Sequence, residues 1–180
     1  LFVSSCAALK AAIQKSGVDP KDIAAMGLST QRCTMVPVDE ACRPIRMAIS
    51  WQDGRCTEEC DWIRDHIGAE RYYEITGLPI ATVWAYPAIL WIRNHEPEIY
   101  ARAHKFLLTQ EFILHRLGAE GYPEDWSNGS LQGLMEIDTF RWSKELIADS
   151  GLSIDQLPDL VPSGQLVGRV SKEAAELTGM

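Results

Sequence analysis

Apolar residues recur at Phe2, Cys6, Leu9 and Ile13, a helical spacing that predicts an amphipathic helix running to about Gly17. Asp19 and Pro20 then turn the chain into Ile23 to Leu28, a short unbroken apolar run of the kind buried on both faces of a sheet. After it the period changes to two. Thr34, Val36 and Val38 alternate with Met35, Pro37 and Asp39, and beyond a turn-rich stretch Ile45, Met47, Ile49 and Trp51 alternate with Arg46, Ala48, Ser50 and Gln52, which predicts a hairpin. From Asp53 the helical period returns, with Cys56, Cys60, Ile63 and Ile67 on one stripe and Glu58 and Glu59 in a first turn that favours acids.

The second half repeats the alternation. Ala69 to Thr76 and Pro87 to Asn94 read as helices, Pro97 opens another turn, and Lys105 to Leu108 reads as a buried strand followed by a helix from Gln110 to Leu117. Gly118 to Gly133 is rich in turn residues and predicts a long loop, functional or mobile. A helix over Trp142 to Ser150, a connection from Leu157 to Gly164, a strand over Gln165 to Val170 and a helix from Ser171 complete the pattern, which is that of an α/β fold. The chain opens at Leu1 inside a helix without an N-cap and stops at Met180 just past a cap glycine, so both ends are expected to be cuts in a longer protein.

The length of 180 residues, 46% hydrophobic, suits one globular domain. A net charge of -8 excludes nucleic-acid phosphates and anionic membranes as natural partners and fits a small neutral substrate better. No apolar run spans a bilayer and no signal peptide is evident, so a cytoplasmic location is expected. Five cysteines, an odd number, predict free thiols rather than a disulfide framework, and Cys56 and Cys60 lack the histidine or second pair that a tetrahedral metal site needs.

Candidate chemistry gathers where the apolar pattern stops. Gln31, Arg32 and Cys33 follow the first apolar run directly, and a loop at a strand end is where α/β folds dock ligands. Gln31 offers donor and acceptor and Arg32 a rigid fork of donors, which suits a polyhydroxylated molecule, although the same residues also make an ordinary solvated turn. Trp51 and Trp126 could each lay a ring face on the C–H face of a sugar, whereas Trp62, Trp91 and Trp142 sit at helical positions expected of core residues. Asp53 and Arg55 are spaced for a local ion pair. The sequence has no phosphate-binding loop of the GxxxxGK type, no HExxH and no GxSxG, and the four histidines read as structural.

In their order these pieces resemble the FGGY family of carbohydrate kinases. The resemblance is carried by Ile23 to Arg32, by Val38-Asp39, Pro44-Ile45 and Ala48 to Arg55 with its W-x-D-x-R pattern, then by Leu90 to Ile92, Glu96 to Glu98, Phe106 to Leu108, Asp125 to Ser130, Leu157-Pro158 and Val167-Gly168. It implies a ribonuclease H-like fold of the actin and hexokinase type. The chain would be most of the N-terminal domain, incomplete at both ends, with the phosphate-binding hairpin, the catalytic aspartate and the adenosine-binding domain outside it. It further implies ATP and Mg²⁺ as cofactors of the whole enzyme and a sugar, ketose or polyol as its substrate. Gln31, Arg32, Cys33, Trp51, Asp53 and Trp126 would be the substrate-binding residues, with no catalytic residue and no metal ligand in this chain, which alone would be inactive. Cys33 stands where glycerol kinases have glutamate and Trp126 where they have tyrosine, which disfavours glycerol; Ala88 replaces the family's lysine. The rival expectation is a non-catalytic sugar-binding module. A strand from Ile23 left without its partner would expose a sheet edge and invite association into a homo-oligomer.

Overall fold

The computed structural model describes residues 1–180. After α1 (Phe2–Ser16) the chain forms β1 (Met35–Val38), then the helices α2 (Thr57–His66), α3 (Ala69–Thr76), α4 (Ala85–His95) and α5 (Pro97–Arg102). Next come β2 (Lys105–Leu108), α6 (Thr109–Leu117), β3 (Pro123–Asp125), α7 (Trp126–Gly129), β4 (Met135–Glu136), β5 (Arg141–Trp142), α8 (Lys144–Ser150), β6 (Asp159–Val161) and α9 (Lys172–Thr178). Three two-stranded ladders result: β1 with β2 antiparallel, β3 with β6 parallel, and β4 with β5 antiparallel.

The β1–β2 ladder, paired from Met35 with Leu108 to Val38 with Lys105, is a partition between two apolar cores. Met35, Phe106 and Leu108 belong to the larger core, with Ile63, Tyr72, Tyr86, Ile89 and Ile92 from the helices α2 to α4. Val36, Val38 and Leu107 belong to the smaller core, with Phe2 and Cys6 of α1, Phe112, Ile113 and Leu117 of α6, and Ala174 of α9. Successive strand residues face opposite sides. A strand buried on both sides therefore needs an unbroken apolar run, which Phe106 to Leu108 supplies.

Several expected elements differ. Residues 24–32 make no backbone-to-backbone hydrogen bond and run extended beside the fold, so the expected strand over Ile23 to Leu28 is an unpaired segment, with Ala24, Ala25 and Gly27 exposed. The hairpin is reduced to β1 and two isolated bridges, Met35 with Ile49 and Val38 with Pro44, and all four β1 residues are buried rather than every second one, because a core packs on each face of the ladder. The expected loop over Gly118 to Gly133 contains β3 and α7, with Asp125 capping α7 through its side chain. Trp142 ends β5 and Ser143 caps α8. The expected connection holds β6, and the strand expected over Gln165 to Val170 is a single bridge between Ala119 and Gly168.

All five cysteines are free and buried, and burial lifts the Cys56 thiol to about 12 and the Cys60 thiol to about 11. Trp142 is a core residue as expected, but Trp62 and Trp91 are only partly buried, each with an arginine over its ring: Arg93 on Trp62 and Arg55 on Trp91. The four histidines stack on neighbouring aromatic rings or meet them edge-on. Ser171 caps α9 by accepting the Ala174 N–H at 3.1 Å. Ser171→Ala is expected to cost about 1 kcal/mol, read as a lower urea midpoint at an unchanged slope.

Candidate functional site

The unpaired segment from Ala25 to Arg32 forms one wall of a cavity of about 560 Å³. Facing it are Gln110 at the start of α6, Asp125, Ser127 and Asn128 at the start of α7, and Ser163 after β6. Arg32 is the sole cationic side chain on its walls. The polar residues facing the segment sit near the end of a strand or the start of a helix, positions where polar groups escape the ladder and the core.

The polar side chains opposite Arg32 are held by one another. Gln110 donates to Asp125 Oδ1 at 3.0 Å, Asn128 donates to the same oxygen at 2.9 Å and to Gln110 Oε1, and Ser163 donates to Asp125 Oδ2 at 2.5 Å. Burial would raise the Asp125 carboxyl, but these donors together with the Ser127 and Asn128 N–H groups outweigh it and hold it below its ordinary value. Asp125 is therefore a fixed anion in this wall.

The loop itself is tied down at both sides. Thr109 Oγ1 donates to the Gln31 carbonyl at 3.1 Å, and Gln31 spends its own amide on Thr34 Oγ1 at 3.1 Å. Cys33 has φ of 61°, in the left-handed region that a residue with a Cβ seldom occupies. Its buried thiol donates to the Leu131 carbonyl at 3.4 Å. Burial first, then the nearby Glu124 carboxyl, push that thiol up to about 11, so Cys33 is an uncharged donor and not a nucleophile. Strain at one loop residue that surrounding structure must hold is a mark of sites whose geometry matters.

The other three expected site residues are placed differently. Trp51 is 43% exposed on a turn just past the Ile49 bridge, a free apolar ring. Asp53 is taken by Arg55, whose Nη2 is 2.7 Å from Asp53 Oδ2, and this bond is what holds the carboxyl below its ordinary value. Trp126 stacks on Phe140 at 4.6 Å between centroids, so one face of its ring is taken. None of Gln31, Cys33, Trp51, Asp53 or Trp126 lies on the cavity wall; of the expected set only Arg32 does.

Sequence reading missed Gln110, Asn128, Glu111, Glu124 and Gln132. Glu111, Glu124 and Gln132 are completely buried, and Glu111 Oε2 accepts the Leu108 N–H at 2.7 Å, closing the start of α6. The available signal was the run Thr109-Gln110-Glu111 directly after an apolar strand, and the acidic pair Glu124-Asp125 in a stretch otherwise poor in charge.

Comparisons with known proteins agree with this architecture. The model of the N-terminal domain of the FGGY family of carbohydrate kinases matches residues 1–180. The xylulose kinase of Escherichia coli K12 is 32% identical over 162 residues, 89% of this chain and 32% of that protein. A glycerol kinase of Chloroflexus aggregans is 31% identical over 176 residues, 93% of this chain and 35% of that protein. In structure, the ligand-bound xylulose kinase of Lactobacillus acidophilus superimposes with a TM-score of 0.91 at 21% identity, over 99% of this chain and 36% of that one. The chain thus spans about a third of the length of the proteins it matches, and its fold is that of the N-terminal domain of actin- and hexokinase-like kinases. By the match of its whole length, with the α/β architecture described above, this chain belongs to the FGGY family of carbohydrate kinases.

Proposed function

We propose that the longer protein to which this chain corresponds phosphorylates a hydroxyl of a sugar, ketose or polyol with ATP, and that this chain supplies the acceptor-binding residues. The single observation that carries the reading is Cys33, strained in the left-handed region and locked to Leu131 beside a cavity with Arg32 on its wall. The names of the relatives support the reaction class. In that reaction Arg32 orients the acceptor from the cavity wall, Gln31 and Cys33 hold the loop that carries it, Trp51 offers its exposed ring to the sugar's apolar face, Asp53 holds Arg55 against Trp91, and Trp126 stiffens the start of α7.

The residues of this chain do not fit MgATP. Arg32 is the one cation on the cavity wall and stands across from the Asp125 anion, which leaves too little positive charge there to hold a triphosphate. Nucleotide, metal and the base that takes the hydroxyl proton are assigned to the remainder of the longer protein. The 180-residue chain is expected to transfer no phosphate from ATP to any polyol; phosphorylated product from the purified chain would refute this division of labour. No helix is long and apolar enough to cross a membrane.

Trp51→Ala is expected to raise the acceptor KM of the longer kinase about tenfold. An unchanged KM would remove Trp51 from the acceptor site.

A further inference from the structure

Glu124 and Gln132 are both completely buried, and Gln132 Nε2 donates to Glu124 Oε2 at 2.9 Å. Two atoms of this pair remain: Glu124 Oε1 and Gln132 Oε1, both buried and both without a partner. An ionised carboxylate and an amide carbonyl are acceptors only, so neither can satisfy the other. A carboxylic acid can. Its O–H donates to the amide carbonyl while the amide N–H donates to the acid carbonyl, which closes a ring of two hydrogen bonds and leaves no buried acceptor orphaned.

The surroundings favour the proton. Glu111 of α6, whose own Oε1 is buried and unpartnered, and Asp125, the next residue along β3, are the carboxyls that act on Glu124. Cys33 contributes an uncharged thiol and α7 no ionisable side chain. Opposite Glu124 in the ladder is Leu160, and Asp159 of the same strand is turned to the Tyr122 N–H. Arg32, the nearest cation of the loop, lies on the cavity wall. Burial first and the Glu111 carboxyl second hold Glu124 well above the ordinary carboxylate range.

What the pair anchors is a hub of three consecutive carbonyls. Leu131 O accepts the Cys33 thiol, Gln132 O accepts the Tyr86 N–H at 2.8 Å, and Gly133 O accepts the Tyr72 hydroxyl at 3.0 Å. A Cβ on Gly133 would meet the Tyr72 oxygen at 2.5 Å, so the hydroxyl's approach to this turn requires glycine there. The Gln132 side chain locks this turn to β3, and Cys33 takes its position from the turn.

We propose that Glu124 is a positioning residue of the acceptor site: as an uncharged acid ringed with the Gln132 amide it fixes the Leu131–Gly133 turn that holds Cys33. The proposal rests on reading residues 31–33 as the acceptor site.

The test compares Glu124→Gln with Glu124→Ala in the 180-residue chain. Glutamine keeps both ring bonds, since its own amide N–H replaces the acid O–H; alanine keeps neither. Infrared difference spectra at neutral pH are expected to contain the carbonyl band of a neutral acid in the wild type that E124Q lacks. In fluorescence titrations E124Q should bind D-xylulose within about twofold of the wild type, and E124A about tenfold more weakly or worse. Wild-type affinity should fall as pH rises through the Glu124 ionisation while that of E124Q stays flat. An ionised Glu124 at neutral pH, or equal damage in E124Q and E124A, would each overturn the proposal. Should the acid band be present while the wild type binds no sugar at all, the acceptor-site reading falls, and the positioning role with it.

Discussion

Gly118→Ala is expected to lower the stability of the chain by about 3 kcal/mol or more, a sum of left-handed backbone strain and a clash that cannot relax. Gly118 ends α6 with φ of 116°, and its N–H closes on the Leu114 and His115 carbonyls. A Cβ there would lie 2.3 Å from the Arg169 carbonyl oxygen and 2.6 Å from the Ser171 nitrogen, both backbone atoms. Ser171 N donates to Leu117 O at 2.8 Å at the same place, and Ser171 is the cap of α9. The methyl group would therefore push the start of α9 away from α6 and open the smaller core around Ala174, Phe2 and Leu117. Urea unfolding followed by circular dichroism should have a much lower midpoint, and hydrogen exchange should quicken first in α1 and α9. A midpoint within experimental error of the wild type would mean that this contact is not a constraint.

The second large effect concerns pH. Glu111 is completely buried, and burial first of all pushes its carboxyl up to about 8 from an ordinary 4.5. A group whose folded value lies above its unfolded one holds its proton more tightly in the native state, so its stabilising contribution is full at and below about pH 4.5 and is lost as pH rises through about 8. At about 1.4 kcal/mol for each tenfold in proton affinity, the loss approaches about 5 kcal/mol at most. Glu124 acts in the same direction. Asp39, Asp53, Asp125 and Glu145 are held below their ordinary values, and their contribution is lost as pH falls. Maximum stability is therefore expected on the acid side of neutrality. Urea midpoints from pH 4 to pH 9 should decline along the alkaline limb, and Glu111→Gln should flatten it while keeping an acceptor for the Leu108 N–H. A limb equally steep in E111Q would place the responsible proton elsewhere.

The helices were legible because each carries its own pattern. α2, with its stripe from Cys56 to Ile63, and α9, with Ser171 before it, need no distant partner to be recognised. Strands were less so, since a strand is defined by what pairs with it. The run from Ile23 to Leu28 has a strand's composition but no partner within these residues, while the three-residue strands β3 and β6, low in apolar alternation, exist because they find one another across more than thirty residues. For the site, Arg32 and Cys33 were legible from their place after an apolar run. Glu124 and Gln132 were not, because burial of a polar pair is a product of tertiary packing that leaves no periodic trace.

The five buried thiols give the chain a second use. A thiol that solvent cannot reach reacts with an alkylating reagent only when its own neighbourhood opens. Cys6 would time the release of α1, Cys33 the loosening of the strained loop, Cys42 the turn after β1, and Cys56 and Cys60 the fraying of α2. Mass spectrometry of the modified peptides would rank these events, so the molecule carries its own set of clocks for local opening, and no label has to be engineered into it.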